Sequence, residues 1–186
     1  MTPHDHLLEM LATRSARRGT FTLSSGRQSS LYIDARLTTM SPDGLATIGA
    51  LGLAALRDSG WAVDAVGGLT LGADPVSYAI AYASALAGLP IRAFTVRKEA
   101  KAYGTGKLVE GPFRSGDRVA VIEDVITTGG SALRAAESVR AAGGIVVGVL
   151  AVVDREEGGR EAISAAGYPV LSLARAADLL ARMPTA

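Results

Sequence analysis

The sequence predicts an α/β protein in which a central parallel sheet is flanked by helices. Two observations carry this prediction. From Ser41 onward, short apolar runs alternate with helical stretches. The apolar runs have the continuously apolar composition of strands that are covered on both faces. Residues 1–40 are more polar and irregular. We expect all 186 residues to form one domain, because this length fills one core and leaves little room for a second.

The predicted elements follow in chain order. A helical pattern near residues 5–17 precedes two short extended pieces, at 21–23 and 31–33. Ser41-Pro42 then supplies an N-cap and a proline for the first helical position, which predicts a helix as far as Leu56. Beyond it, the alternation predicts strands at 63–66, 91–96, 118–122, 145–153 and 170–173, and helices at 74–87, 130–142, 159–166 and 174–182.

The composition excludes several classes of protein. Because there is no cysteine, disulfides, thiolate zinc sites and thiol nucleophiles are ruled out. The net charge of +1 gives no overall attraction to nucleic acid or to an anionic membrane, so any anion site must be a local cluster. No run approaches the roughly 18 apolar residues of a membrane span, and no secretory signal is recognisable. We therefore expect a cytoplasmic protein without membrane or nucleic-acid partners.

The most informative segment is residues 119–131, where an apolar strand leads to Glu123 and Asp124 and then to a turn that opens a helix. Three hydroxyl residues and two glycines form the turn: Thr127, Thr128, Gly129, Gly130 and Ser131. The glycines allow successive backbone N–H groups to point inward, and the helix N-terminus adds partial positive charge. The two carboxylates are placed to accept hydrogen bonds from ribose hydroxyls. The segment therefore predicts a ribose 5-phosphate site.

A purely structural interpretation of this segment is a strand-to-helix turn in which Thr128 or Ser131 is the N-cap. That interpretation accounts for one hydroxyl and one glycine. It leaves the two adjacent carboxylates unexplained, and a carboxylate buried at a strand end is costly without a ligand or partner. Other nucleotide motifs are absent, since neither a G-x-G-x-x-G turn after a strand nor a P-loop occurs.

Residues 119–131 resemble the motif with which type I phosphoribosyltransferases bind phosphoribosyl pyrophosphate (PRPP). The resemblance implies the fold of that family, in which a small N-terminal hood (1–40) and a flexible basic lid loop (97–111) accompany an α/β core (41–186). It also implies that one continuous stretch holds the ribose and 5-phosphate of PRPP, namely Glu123, Asp124, Val125, Ile126, Thr127, Thr128, Gly129, Gly130 and Ser131.

Residues 21–34 resemble the hood of orotate phosphoribosyltransferases, which covers the base with an aromatic residue near Tyr32. A plain β-hairpin that turns at Ser25-Gly26, with Tyr32 simply packed, is the alternative. A glycine-rich stretch at 67–75 is similar to the pyrophosphate loop of the family, although it is also compatible with an ordinary turn.

The segment that begins at Arg97 is rich in lysine and glycine, which suits an electrostatic lid over pyrophosphate. A solvated charged loop is the alternative. The similar loop of orotate phosphoribosyltransferases implies that Arg97, Lys98, Lys101 and Tyr103 contact PRPP, and that Lys98 and Lys101 act in catalysis together with Asp124. Tyr103 stands where the family has histidine, and it donates a hydrogen bond without a charge. Because the family loop reaches a neighbouring active site, the resemblance implies a homodimer with a lid shared in trans.

The strand at 145–153 leads to Asp154-Arg155, at the same edge of the sheet as the predicted phosphate site. Arginine binds planar carboxylates through two parallel hydrogen bonds, and orotate carries a carboxylate. The resemblance implies that Arg155, Thr127 and Tyr32 bind orotate. A surface salt bridge from Arg155 to Glu156 or Glu157 is the alternative.

The resemblance implies transfer of the phosphoribosyl group of PRPP to orotate, which yields orotidine 5′-monophosphate and pyrophosphate in pyrimidine biosynthesis. It implies Mg²⁺ as cofactor, held mainly through PRPP and without a direct protein ligand. Two alternatives stay open: transfer to another base, and a non-catalytic PRPP-binding regulator. The chain departs from the pattern at Ser24 and Leu71, where some members carry lysines that help to bind the phosphates.

Overall fold

The computed structural model describes residues 1–22, 28–99 and 107–184. Its strands are β1 (Ala16–Thr22), β2 (Gln28–Ile33), β3 (Ala65–Leu69), β4 (Arg92–Val96), β5 (Val109–Glu110), β6 (Arg118–Ile126), β7 (Ile145–Asp154) and β8 (Val170–Arg175). Its helices are α1 (Pro3–Met10), α2 (Arg36–Thr39), α3 (Pro42–Asp58), α4 (Ala73–Leu86), α5 (Gly130–Ala141), α6 (Gly159–Ala165) and α7 (Ala176–Arg182). The predicted positions at Ser24, Lys101 and Tyr103 lie outside the described residues.

The main sheet has the strand order β5-β4-β3-β6-β7-β8. Neighbouring strands from β4 to β8 run parallel, and only the short β5 pairs antiparallel, with β4. The hairpin β1-β2 forms a separate antiparallel sheet. The predicted parallel sheet with flanking helices is confirmed.

Strand β6 shows why the central strands appear in the sequence as continuous apolar runs. Val119 and Val121 belong to a cluster with α5 and α6, whereas Ala120 and Ile122 belong to a cluster with α1, α3, α4 and α7. Successive side chains of a strand point to opposite faces, so a strand covered on both sides must be apolar at every position. Each fully buried valine or isoleucine contributes about 1.5–3 kcal/mol.

The start of α3 follows the predicted capping. The Oγ of Ser41 accepts a hydrogen bond from the backbone N–H of Gly44 at 3.2 Å, and Pro42 occupies the first turn, where its missing N–H costs nothing. The helix extends two residues past Leu56, to Asp58. Within the described residues, no helix combines the length and the apolar character that a membrane crossing requires.

The N-terminal region differs from the prediction. The helix expected over 5–17 ends sooner: α1 stops at Met10, Leu11–Ser15 forms a π-helix, and the chain is extended from Ala16. Ala16 pairs with Ile33 of β2, a partner seventeen positions away that local periodicity does not reveal. The short elements α2 and β5 were also not predicted.

A second difference places two predicted site residues inside an element. Strand β6 continues to Ile126, so Glu123 and Asp124 lie within the strand and not after it. The reason is β7, which stays paired with β6 as far as Ile126 opposite Asp154. The extension holds the backbone that carries both carboxylates in the sheet.

Candidate active site

A cleft of about 370 Å³ opens where β3, β4, β6 and β7 reach their carboxyl ends, and the chain that leaves β2 forms its opposite wall. This is the expected place for a ligand in a parallel sheet. The predicted site residues that line it are Tyr32, Lys98, Glu123, Asp124, Val125, Thr127, Ser131 and Arg155.

The turn between β6 and α5 does not use the predicted side-chain caps. The N-cap of α5 is Gly129, which has φ 81° and makes no side-chain capping hydrogen bond, so neither Thr128 nor Ser131 caps the helix. An anion is a natural partner for the N–H groups of such a helix end. Ile126 is 1% exposed and packs in the core, so only its backbone is available to a ligand. Thr128, Gly129 and Gly130 do not line the cleft in this structure.

The two adjacent carboxyl groups differ in environment. Glu123 is 7% exposed, and burial, together with the negative charge of Asp124, raises its pKa well above the usual range, while Arg134 acts in the opposite direction. Asp124 is less buried, and its Oδ1 accepts a hydrogen bond from the backbone N–H of Val125 at 2.9 Å. The pair therefore offers one buried carboxyl group whose pKa is raised and one held at the cleft by a backbone donor.

The loop after β3 forms the floor of the cleft. The peptide bond between Thr70 and Leu71 is cis. Thr70 Oγ1 donates to one oxygen of Asp74 at 2.6 Å, and Thr95 Oγ1 donates to the other at 2.9 Å. These two bonds anchor the loop to α4 and β4. Leu71 is 55% exposed and lines the cleft, so this departure from the expected family pattern places an apolar side chain in the cleft wall.

The hood side contributes an ion pair and an aromatic ring. Arg36 donates to both oxygens of Asp34, at 2.8 and 3.0 Å, and these bonds lower the pKa of Asp34. The ring of Tyr32 lies 5.4 Å from that of Phe21, between centroids, and also lines the cleft. Tyr32 therefore packs within a hairpin, as one interpretation held, and faces the site, as the other required.

Arg155 is buried at the end of β7, with its side chain 6% exposed. Its Nη2 donates to Ser29 Oγ at 2.8 Å and to the Leu31 carbonyl at 2.6 Å, and it lies 2.8 Å from Glu157 Oε1. The ion pair that was the alternative to base binding does form with Glu157, but in the interior and not at the surface. Glu156 instead accepts a hydrogen bond from the backbone N–H of Ala177.

The described part of the lid loop is divided between two clefts. Lys98 lines the main cleft and a neighbouring one of about 600 Å³, whereas Arg97 lines only the neighbour. The backbone N–H of Arg97 donates to the Leu108 carbonyl at 2.8 Å, and its Nη1 lies 3.9 Å from Glu110. Arg97 and Lys98 therefore share the neighbouring cleft, and the contact of Arg97 with PRPP stays a prediction.

Sequence reasoning did not single out two basic residues of the cleft, Arg36 and Arg134, whereas Asp34, Thr70 and Gly72 lie within the stretches 21–34 and 67–75 that the family resemblance had indicated. Arg134 had a usable signal, because it lies three positions after Ser131 on α5, and residues at this spacing share a helix face. Arg36 had none, since its place depends on how the hood meets the core. Within the described ranges, no group of three or more histidine or acidic side chains is placed to hold a metal ion.

The fold has a counterpart of low sequence identity. An adenine phosphoribosyltransferase from Leishmania donovani, 19% identical, matches the chain with a TM-score of 0.69, over 96% of this chain and 81% of that one. The fold is thus that of the type I phosphoribosyltransferases.

Relatives of higher sequence identity show which family within this class the chain belongs to. The curated orotate phosphoribosyltransferase of Rhodopseudomonas palustris (strain BisB18) is 48% identical over 178 residues, 94% of each chain. A Mycobacterium tuberculosis H37Rv orotate phosphoribosyltransferase, crystallised in complex with PRPP, is 44% identical with a TM-score of 0.81 and covers 96% of this chain and 99% of that one. Comparison with models of protein families gives no match. The chain belongs to the orotate phosphoribosyltransferase family.

Proposed function

We propose that this protein transfers the phosphoribosyl group of PRPP to orotate and releases orotidine 5′-monophosphate and pyrophosphate, a step of pyrimidine biosynthesis. One observation carries the proposal: a buried arginine, Arg155, shares a cleft with Asp124 and with Ser131 at the phosphate-binding turn. An arginine in that place suits an acceptor base that bears a carboxylate.

The proposed chemistry is displacement at the anomeric carbon of PRPP. A ring nitrogen of the base loses its proton to solvent or to the departing pyrophosphate and forms a bond to this carbon as the bond to the pyrophosphate oxygen breaks, and the ribose passes through an oxocarbenium-like state. Asp124 and Glu123 would fix the ribose hydroxyls, with Asp124 close to the developing positive charge. Lys98, together with Lys101 of the lid, would stabilise the departing negative charge. No nucleophilic side chain is needed, which agrees with a chain that lacks cysteine.

For the remaining ligand contacts, we propose the residues of the motif. The turn from Thr127 to Ser131 would hold the 5-phosphate, with the backbone of Val125 and Ile126 leading into it. Thr127 and Tyr32 would contact the base beside Arg155, and Arg97 and Tyr103 would join the pyrophosphate contacts when the lid closes.

Mg²⁺ fits this donor set as a cofactor held mainly through PRPP. Magnesium prefers oxygen ligands and often binds through substrate phosphates with few protein carboxylates. The described cleft matches that preference: Asp34 is engaged by Arg36 and Glu123 is buried, so Asp124 would be the cleft carboxylate most available to an ion that PRPP carries. When bound, Mg²⁺ would neutralise charge on the pyrophosphate. We propose no direct protein ligand.

We also propose a homodimer in which each lid loop acts in the partner's site. Besides the resemblance, α4 supports this proposal, because Tyr82 and Leu86 are 69% and 73% exposed beside an apolar groove against α3. Mixing Lys101→Ala subunits with Asp124→Asn subunits is expected to restore activity, since one site of the mixed dimer would have both wild-type groups. A verified mixed dimer without activity would contradict the shared lid.

The resemblance further supports a single domain over residues 1–186 and a cytoplasmic location.

The decisive experiment measures base-dependent consumption of PRPP. Protein, PRPP and Mg²⁺ are mixed with orotate, uracil, adenine or hypoxanthine, and pyrophosphate release is followed. We expect turnover with orotate alone. Turnover of another base without orotate would show a different acceptor, and tight PRPP binding without turnover of any base would favour a regulator.

A further inference from the structure

We propose that Glu157 is a positioning residue for recognition of the acceptor base, because it holds the guanidinium of Arg155 in the orientation in which Arg155 contacts the base. The inference rests on the proposed function, in which Arg155 binds the carboxylate of orotate. It assigns a role to a residue that the cleft itself does not expose, since Glu157 is not among the lining residues.

The hydrogen bonds of Arg155 are concentrated on one nitrogen. Nη2 carries two N–H groups and faces three acceptors: Ser29 Oγ, the Leu31 carbonyl and Glu157 Oε1. Nε is buried and has no hydrogen-bond partner within the described residues. With Nη2 occupied, Nη1 is the nitrogen best able to serve a ligand in the cleft.

Charge explains why Glu157 matters more than the other two acceptors. The side chain of Arg155 is only 6% exposed, so its guanidinium has lost most of its hydration. Ser29 and Leu31 offer it only neutral oxygens. Glu157, whose side chain is 16% exposed, supplies the opposite charge at 2.8 Å. Without that charge, the buried guanidinium of Arg155 is destabilised. We expect Arg155 to adopt a rotamer that reaches water and to lose its contacts to β2.

The position of Glu157 separates its effect on the base from any effect on PRPP. Glu157 follows β7, and its described contact is with Arg155, whereas the phosphate-binding turn follows β6 and Lys98 follows β4. Truncating Glu157 therefore alters the orientation of Arg155 and leaves those elements in place. The result expected is a change in the KM for orotate without a matching change in the KM for PRPP.

The test compares Glu157→Ala and Glu157→Gln with the wild-type protein in steady-state assays with PRPP and orotate. We expect Glu157→Ala to raise the KM for orotate at least about tenfold, equivalent to about 1.4 kcal/mol, with the KM for PRPP within about twofold. Glu157→Gln retains an acceptor oxygen for Nη2 but lacks the charge, so its KM for orotate is expected to lie between the two. Glu161→Ala, at an exposed glutamate of α6, is the matched control and should behave as wild type.

Equal KM values for orotate in Glu157→Ala and wild type would overturn the inference, and so would parallel increases in both KM values, which indicate general damage to the site. If Glu157→Ala does not fold, as judged by thermal unfolding, Glu157→Gln decides the question by the same criterion. Wild-type protein that does not turn over orotate would instead refute the proposed function, so the two failures are distinguishable.

Discussion

The carboxyl group of Asp124 lies against the backbone of Gly72. A Cβ built on Gly72 would approach the Cγ and both carboxyl oxygens of Asp124 to 2.5 Å, closer than real Cβ atoms come to other heavy atoms. The two residues belong to different elements at the edge of the sheet: Gly72 is the N-cap of α4, after β3, and Asp124 lies near the end of β6. Gly72 has φ −62° and ψ −41°, so its lack of a side chain serves this contact and not an unusual backbone conformation.

We predict that Gly72→Ala lowers kcat/KM for PRPP by about 10- to 100-fold, an estimate from what misplacing a reacting group costs. The methyl group must displace the Asp124 carboxylate, which we propose binds the ribose of PRPP. Steady-state kinetics measures the effect. In an Asp124→Ala background the clashing atoms are gone, so adding Gly72→Ala should cost little more. Full additivity of the two changes would show that the contact does not operate through Asp124.

The raised pKa of Glu123 predicts an unusual dependence of stability on pH. As pH rises above the unfolded-state pKa, about 4.3 for glutamate, the unfolded chain releases this proton while the folded protein retains it. Stability is therefore lost until pH passes the raised folded-state pKa, by about 1.4 kcal/mol for each unit of separation. In Glu123→Gln this contribution is absent.

Urea unfolding of both proteins between pH 4 and pH 9 measures the effect of Glu123. The free energy of unfolding of Glu123→Gln should increase relative to that of wild type as pH rises. A difference that stays constant across this range would contradict the raised pKa.

Arg134 is predicted to contribute to PRPP binding, although the sequence did not single it out. It borders both the main cleft and the neighbouring cleft that Arg97 and Lys98 share, and its charge acts on buried Glu123 without a salt bridge among the described residues. A cation so placed is available to a phosphate. Arg134→Gln should raise the KM for PRPP about 10- to 150-fold, in the range of one charge-assisted hydrogen bond, with the KM for orotate little changed.

Arg140 provides the matched control for Arg134, because it lies on the same helix near Tyr168 and away from the cleft. Arg140→Gln should leave both KM values unchanged. Similar KM values for PRPP in Arg134→Gln and wild type would remove Arg134 from the proposed site.

Lys98 is predicted to act mainly on the chemical step. It lines the cleft at the end of β4, where positive charge would stabilise the departing pyrophosphate. Lys98→Ala should lower kcat by about 10²–10³-fold, the usual cost of removing one preorganised group of this kind. Single-turnover kinetics with saturating PRPP would measure the chemical step directly. A loss confined to PRPP affinity would assign Lys98 to binding alone.

The sequence by itself determined the parallel α/β fold, the bounds of most core helices and strands to within a few residues, and the paired carboxylates before a glycine-rich turn. These features depend on local signals: apolar periodicity, the Ser41-Pro42 start of α3, and neighbours along one chain segment. The tertiary structure decided the rest. The length of β6 depends on its pairing with β7, and the start of β1 on its pairing with β2. Likewise, Gly72 meets Asp124, and Arg155 meets Ser29 across 126 positions, only once the strand order and the docking of the hairpin have brought separate elements together. No local periodicity encodes such contacts, because they arise from packing between elements whose separation along the chain carries no information about distance.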